Sequence, residues 1–150
     1  MELFDVDKYQ LPDVSEIDWN KTIENIGIFL RKYKVSRERI GVPDFPKMTD
    51  RFTLANDEFL DLKEKKLSVF YREYVELHQL FIIGFSAIVH PFRPETSIRR
   101  KQVFMLRYVY GFSIAIVSER IHYQKNIILE DSKTAVIQFA DALSLLALKR

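Results

Sequence analysis

The sequence predicts an all-α protein, a helical bundle closed by a C-terminal helix-turn-helix. Three observations lead there. Apolar side chains recur every three or four residues through each long segment. No segment sustains the apolar–polar alternation of a half-buried strand. The breaks between periodic segments carry Pro, Gly or clustered polar residues, the usual interruptions of helices. The chain has 150 residues, of which 47% are apolar and 13% aromatic, enough for one domain with a packed core. It lacks cysteine, which excludes disulfides and thiolate metal sites.

The first helix is expected over residues 15–34. Trp19, Ile23, Ile26, Leu30 and Tyr33 fall on one stripe, with Asp18 placed to cap its start. It runs into a basic cluster of Arg31, Lys32, Lys34, Arg37 and Arg39 and stops near Gly41. Residues 41–57, with Pro43 and Pro46, read as a linker, so 1–57 form an N-terminal helix and linker and 58–150 the main helical domain. Over 58–90, Leu60, Leu67, Phe70, Tyr74, Leu77, Phe81 and Ile88 keep a helical rhythm with only Gly84 against it, giving one long helix or two stacked ones. Its aromatic residues belong to the core or to a self-association surface.

Pro91 and Pro94 open the next break. Helices follow at about 98–110, 113–121 and 125–147, which place the helix-turn-helix within about 98–147. Gly111 ends the first, Ser113 restarts the chain, and residues 122–124 form a bend of the length that such motifs need. In the last helix Ile128, Ser132, Ala135, Val136, Phe139, Leu143 and Leu146 form the inward stripe. The adjacent row of Ile127, Asp131, Thr134 and Gln138 is polar but for Ile127, and Asn126, Glu130 and Lys133 face outward.

The net charge of +2 conceals an uneven distribution. Residues 1–60 hold nine basic and twelve acidic side chains, whereas 93–150 hold ten and five. The basic final third suggests a polyanionic partner. Arg99, Arg100 and Lys101 stand in the first turn expected for the 98–110 helix. There each positive charge opposes the helix macrodipole by about 0.3–1 kcal/mol. A phosphate beside them would explain the arrangement; a solvated cluster is the plainer explanation.

No catalytic residue, metal ligand or cofactor is expected. His78, His90 and His122 lie in separate segments without ligand spacing, and His122 is expected to form a hydrogen bond at the turn. Asp57, Glu58 and Asp61 read as companions of a helix start. The four glycines form no phosphate loop. The first ten residues lack a basic start followed by an apolar run, and LFIIGF is far shorter than a membrane span, so a cytoplasmic protein with no membrane segment is expected.

Several stretches resemble the ArpU family of phage-encoded transcriptional regulators. IDWNKTIENIGIFLRKYK is similar to that family's opening ID-x-x-KT helix, and FPKMTDRFTLAN to its P-K-x-T linker. RRKQVFMLRYVYG is similar to its R-x-x-L-x-x-x-Y helix, and SERIHYQKNIILEDSKTAVIQFADAL to its final helix, turn and helix. The likeness spans about 15–150, and its last part also resembles region four of sigma factors, which enters the DNA major groove. It implies an activator or repressor of phage late genes in the cytoplasm of a bacterial host. Double-stranded DNA would be its partner, RNA polymerase a further one, and a homodimer its working form. Gln124, Lys125, Asn126, Ile127 and Lys133 would then face bases, and Arg99, Arg100, Lys101 and Arg107 phosphates. His122 stands where the family has a turn Gly, Gln124 where it has a capping Ser, and Ile127 where a basic residue is common. The alternatives are a protein-interaction module acting on a repressor or RNA polymerase, and a small subunit of a phage DNA-packaging machine.

Overall fold

The computed structural model describes residues 11–48 and 69–150. After a 3₁₀ turn at Val14–Glu16, α1 covers Trp19–Arg39, α2 Val69–Ser86, α3 Pro94–Phe104, α4 Ile114–Ile121 and α5 Lys125–Ala142. A π-helical turn, Met105–Val109, extends α3. No strand occurs among the described residues; one isolated bridge pairs Ile17 with Leu148. None of the helices is long and apolar enough to cross a membrane, again among the described residues.

Local chemistry sets most boundaries. The Asp18 carboxylate accepts the Lys21 amide at 3.1 Å, the cap expected for α1. That helix runs on to Arg39, beyond the expected 34, and ends before Gly41 at φ 77. Pro94 opens α3, where its missing N–H costs nothing. The expected Leu60 and Leu67 of the long middle helix, the Asp57, Glu58 and Asp61 group, and the boundary at 57/58 lie outside the described residues.

Most of the apolar surface meets in one core. Ile26, Phe29 and Tyr33 of α1, Tyr74, Phe81 and Phe85 of α2, and Ala135, Val136, Phe139 and Ala140 of α5 pack with Phe104 and Met105. Thus α1 shares its core with the later helices. Phe139 is the hub: its ring stacks on Phe104 at 4.6 Å and meets Phe29 at 6.0 Å and Phe81 at 6.1 Å. Gly84 explains itself here. A Cβ on it would come within 2.7 Å of the Phe139 ring, so α2 reaches α5 only through glycine. Phe70 departs from its expected inward place; it is exposed, with the Arg39 guanidinium over its ring at 5.3 Å.

A second, smaller core joins Val103, Leu106, Val117 and Ile128, with Phe112, Ile114 and Ile121 around it. The π-turn makes both cores possible. Val103, Phe104, Met105 and Leu106 are four consecutive buried residues, more than one face of an ideal helix can hide. The pair Phe104 and Met105 faces the large core, and Val103 and Leu106 the small one.

Two expectations fail. The last helix ends at Ala142 rather than near 147, so Leu146 is not part of its stripe. Ser144 takes the left-handed conformation at φ 58, and the Leu145 amide donates back to the Ala140 carbonyl at 2.8 Å, a Schellman closure. The freed tail lies across the start of α1. There the Asp18 amide donates to the Ala147 carbonyl at 2.8 Å, the Lys149 amide to the Glu16 carbonyl at 2.8 Å, and Asn25 Nδ2 to the Leu145 carbonyl at 2.9 Å. The basic cluster of α1 also divides. Arg37 is fully buried, with Nε donating to the Pro43 carbonyl at 2.7 Å and Nη2 to the Phe45 carbonyl at 3.1 Å, so its charge holds the 43–45 loop.

Candidate nucleic-acid interface

The α4–α5 corner is built from short-range parts. Gly111 adopts φ 80 and breaks the chain after the π-turn. The Ser113 hydroxyl accepts the Ile116 amide at 3.3 Å and starts α4. His122 ends α4 in the left-handed conformation, φ 62 and ψ 42, a place more cheaply filled by Gly. Its side chain forms no hydrogen bond among the described residues, against expectation. The turn is closed instead by the His122 amide on the Ser118 carbonyl at 3.0 Å and by the Ser118 hydroxyl on the Tyr123 carbonyl at 2.5 Å. Gln124 occupies the N-cap of α5 without a capping side-chain bond.

Lys125, Asn126 and Lys133 are exposed on α5, as is Gln124 before it. Asn126 Oδ1 accepts the Ile127 amide at 3.0 Å, which leaves its Nδ2 group outward. Ile127 is half-buried, as a contact with the bend would have it. A groove of about 560 Å³ runs past this end, walled by Arg107, Ser113, Ile114, Ala115, Lys125, Asn126 and Leu129. Two helix N-termini, with their free amides and partial positive charge, border it. Arg107 comes from the π-turn. Its guanidinium lies 5.4 Å from the Tyr108 ring centre, and its Nε is buried without a hydrogen-bond partner.

The three cations of α3 do not gather on this groove. Arg99 grips Asp131 through two bonds, Nε to Oδ2 at 2.5 Å and Nη2 to Oδ1 at 3.3 Å. Arg100 approaches the same carboxylate at 3.5 Å and donates to the Val89 carbonyl at 3.0 Å. Asp131, expected on a polar outward row, is 3% exposed. Because α3 begins at Pro94, Arg99, Arg100 and Lys101 lie beyond its first turn, against expectation. Glu95 stands in that turn and Lys101 in the last, so no cation there opposes the start of the macrodipole. The anion that Arg99 and Arg100 meet is internal, 32 residues from Arg99 in sequence. The hydrogen bond that Arg99 donates to Asp131 raises the Arg99 pKa above its ordinary value, against the opposing effect of burial. Its guanidinium also lies 4.7 Å from the Tyr123 ring centre, so one side chain joins α3, the turn and α5. Lys101 points elsewhere. Its ammonium lies over Phe85 of α2 at 5.8 Å, and burial lowers its pKa.

Gln138 of the same row is also tied down: its amide group exchanges two hydrogen bonds with Val89, at 3.2 and 2.8 Å. Sequence reasoning missed Asp131, Gln138 and Ser118 as positioning residues. The one signal available was the adjacency of Arg99 and Arg100, two neighbouring cations that ask for a nearby negative charge without saying where it comes from. Among the described residues no group of three or more His, Cys, Asp or Glu could hold a metal ion. The geometry can present a cation, an amide and two helix N-termini to an extended anion. No family model matches the chain, and neither a curated protein nor a solved structure matches it.

Proposed function

We propose that the chain binds double-stranded DNA through a helix-turn-helix formed by α4, the 122–124 turn and α5, and regulates transcription. In this reading the start of α5 enters the major groove. The observation that carries it is the exposed pair Lys125 and Asn126 beside Arg107 and the capped start of α4, on one open groove. Lysine donates to guanine O6 and N7, and asparagine pairs with adenine. Gln124, Ile127 and Lys133 flank them. Arg107 holds a phosphate, while Arg99 and Arg100 work through Asp131, fixing the angle of α5. The resemblance to ArpU-type phage regulators and to sigma region four, with RNA polymerase as a further partner, is part of the same proposal.

The test is duplex binding followed by anisotropy across a salt series. Each phosphate contact contributes about 0.9 to the slope of log affinity against log salt. Arg107→Ala is expected to flatten it by roughly 1 and to weaken all sequences alike. Asn126→Ala is expected to lose about 1–3 kcal/mol on a selected sequence and almost nothing on random duplex. A folded wild type that binds no duplex at low salt overturns the proposal. The second reading, a protein-interaction module, then takes its place; Ile116 and Leu129, both exposed and apolar near the same corner, favour it.

A further inference from the structure

The outward face of α2 changes character halfway along. Its first half shows Arg72 and Glu76 beside Val69 and Phe70; its second half shows Leu80, Ile82 and Ile83 with Gln79 and Ser86, all exposed and none charged. Tyr74, Phe81 and Phe85 are inside, so within the second half of α2 the exposed apolar side chains are aliphatic. No residue from 77 to 92 carries a formal charge. Val89 and Phe92 follow α2 and are exposed too, Phe92 at 87% and Ile83 at 53%. Single exposed apolar side chains are ordinary on a protein surface; a run of them without a charge marks an interaction site.

We infer that this face is a homodimer interface, in which α2 packs antiparallel against α2 of a second copy near Ile83. Two features select a second copy over an unrelated protein. The patch is apolar at its centre, acidic at one end (Glu76) and basic at the other (Arg93). Both charged residues are exposed, and neither forms an ion pair among the described residues. A twofold axis through the centre turns one end onto the other, so Glu76 of each copy comes towards Arg93 of its mate. Such self-complementarity is what an isologous contact requires.

The second feature is distance, and it rests on the DNA reading above. Val89 is bonded to Gln138, which ties the patch to α5. From Gln138 to Asn126 is twelve residues, about 18 Å of helix. The patch and the reading end thus stand at opposite ends of α5, so pairing through α2 leaves both reading ends uncovered for two half-sites on one duplex.

Sedimentation equilibrium of the full chain without DNA, from micromolar to hundreds of micromolar, tests the dimer separately from DNA reading. Wild type is expected at twice the chain mass. Ile83→Glu is expected to raise the dimer dissociation constant about tenfold or more. Ile83 is exposed, so the fold should persist; unchanged circular dichroism checks this, and Ile83→Ser repeats the test without a charge. Glu76→Arg is expected to weaken the dimer and Glu76→Arg with Arg93→Glu to restore it. A monomer at every concentration overturns the inference and assigns the face to a different protein. A dimer indifferent to the Ile83 variants overturns it as well, because the contact then lies elsewhere. Loss of half-site spacing preference in Ile83→Glu supports the distance argument. Absence of any duplex binding overturns the DNA reading, while the mass measurement still decides the dimer.

Discussion

The two cores of this molecule are held by different physics. The large one, between α1, α2 and α5, is a continuous aromatic cluster in which Phe139 alone touches rings from three other segments. The small one under α4 has four fully or nearly buried apolar residues, and Val117 is the only buried residue that α4 supplies. Burial of about 1.5–3 kcal/mol per large apolar side chain makes the first self-sufficient and the second marginal. Polar ties make up the difference: Arg99 to Asp131, Ser118 to Tyr123, Ser113 to Ile116. A corner held by directional bonds keeps its surface free for a ligand, because its stability does not require apolar cover there. The same economy makes it the part most easily opened.

That contrast can be broken at three depths. The largest effect is expected from Phe139→Ala, which empties the hub of the large core. A loss of about 3–5 kcal/mol should appear in urea unfolding as one cooperative transition at lower midpoint. A smaller loss confined to α4 would mean that the cores are not ranked as described.

Asp131→Ala comes next. It leaves two guanidinium groups without their shared carboxylate, and the loss expected for breaking such a pair is about 3 kcal/mol. Amide exchange should show the loss first in α4 and the start of α5 while α1 and α2 stay protected. Because Asp131 holds Arg99 in its charged form and raises its pKa, the tie is present below the ordinary arginine value and would be lost only as pH rises past the raised one. On the arginine side the contribution therefore does not change around neutral pH. A marked acid dependence of the wild type that vanishes in Asp131→Ala would assign the effect to the carboxylate instead.

The mildest change sharpens the comparison. His122 and Ser144 each close a helix in the left-handed conformation, one at the polar corner and one beside the large core. Glycine takes that conformation without a steric cost, so His122→Gly and Ser144→Gly should each stabilise by about 0.5–1 kcal/mol, offset in part by a freer unfolded chain. Thermal melts compare the two. A gain at Ser144 with a loss at His122 would show that the imidazole makes a contact of its own at the turn.

Much of the fold was legible in the sequence because it depends on neighbours within a turn of helix. The Asp18 and Ser113 caps, the break at Gly111, the left-handed strain placed on His122 and the absence of a cap at Gln124 are all local matters of a hydroxyl, a carboxylate or a missing Cβ. The inward stripe of α5 was legible through Phe139 for the same reason: helical periodicity repeats a face every three or four residues. Of the candidate interface, the exposure of Lys125 and Asn126 followed from the stripe beginning only at Ile128.

What the tertiary structure alone decided involves residues distant in sequence. Arg99 and Arg100 looked like an open phosphate site until α5 supplied Asp131. Arg37 looked like one of five surface cations until the 43–45 loop supplied carbonyls for its guanidinium. The end of α5 at Ala142 carries no Gly or Pro; it is set by the tail's pairing with Glu16, Asp18 and Asn25, more than a hundred residues earlier. Gly84 looked like a flaw in a helix, and its meaning lay in the ring of Phe139. In each case the sequence specified a local preference or a charge in need of a partner. Only the packing of one helix on another could say which partner fills the need, since a charge or a carbonyl is satisfied by whatever the folded chain brings within about 3 Å.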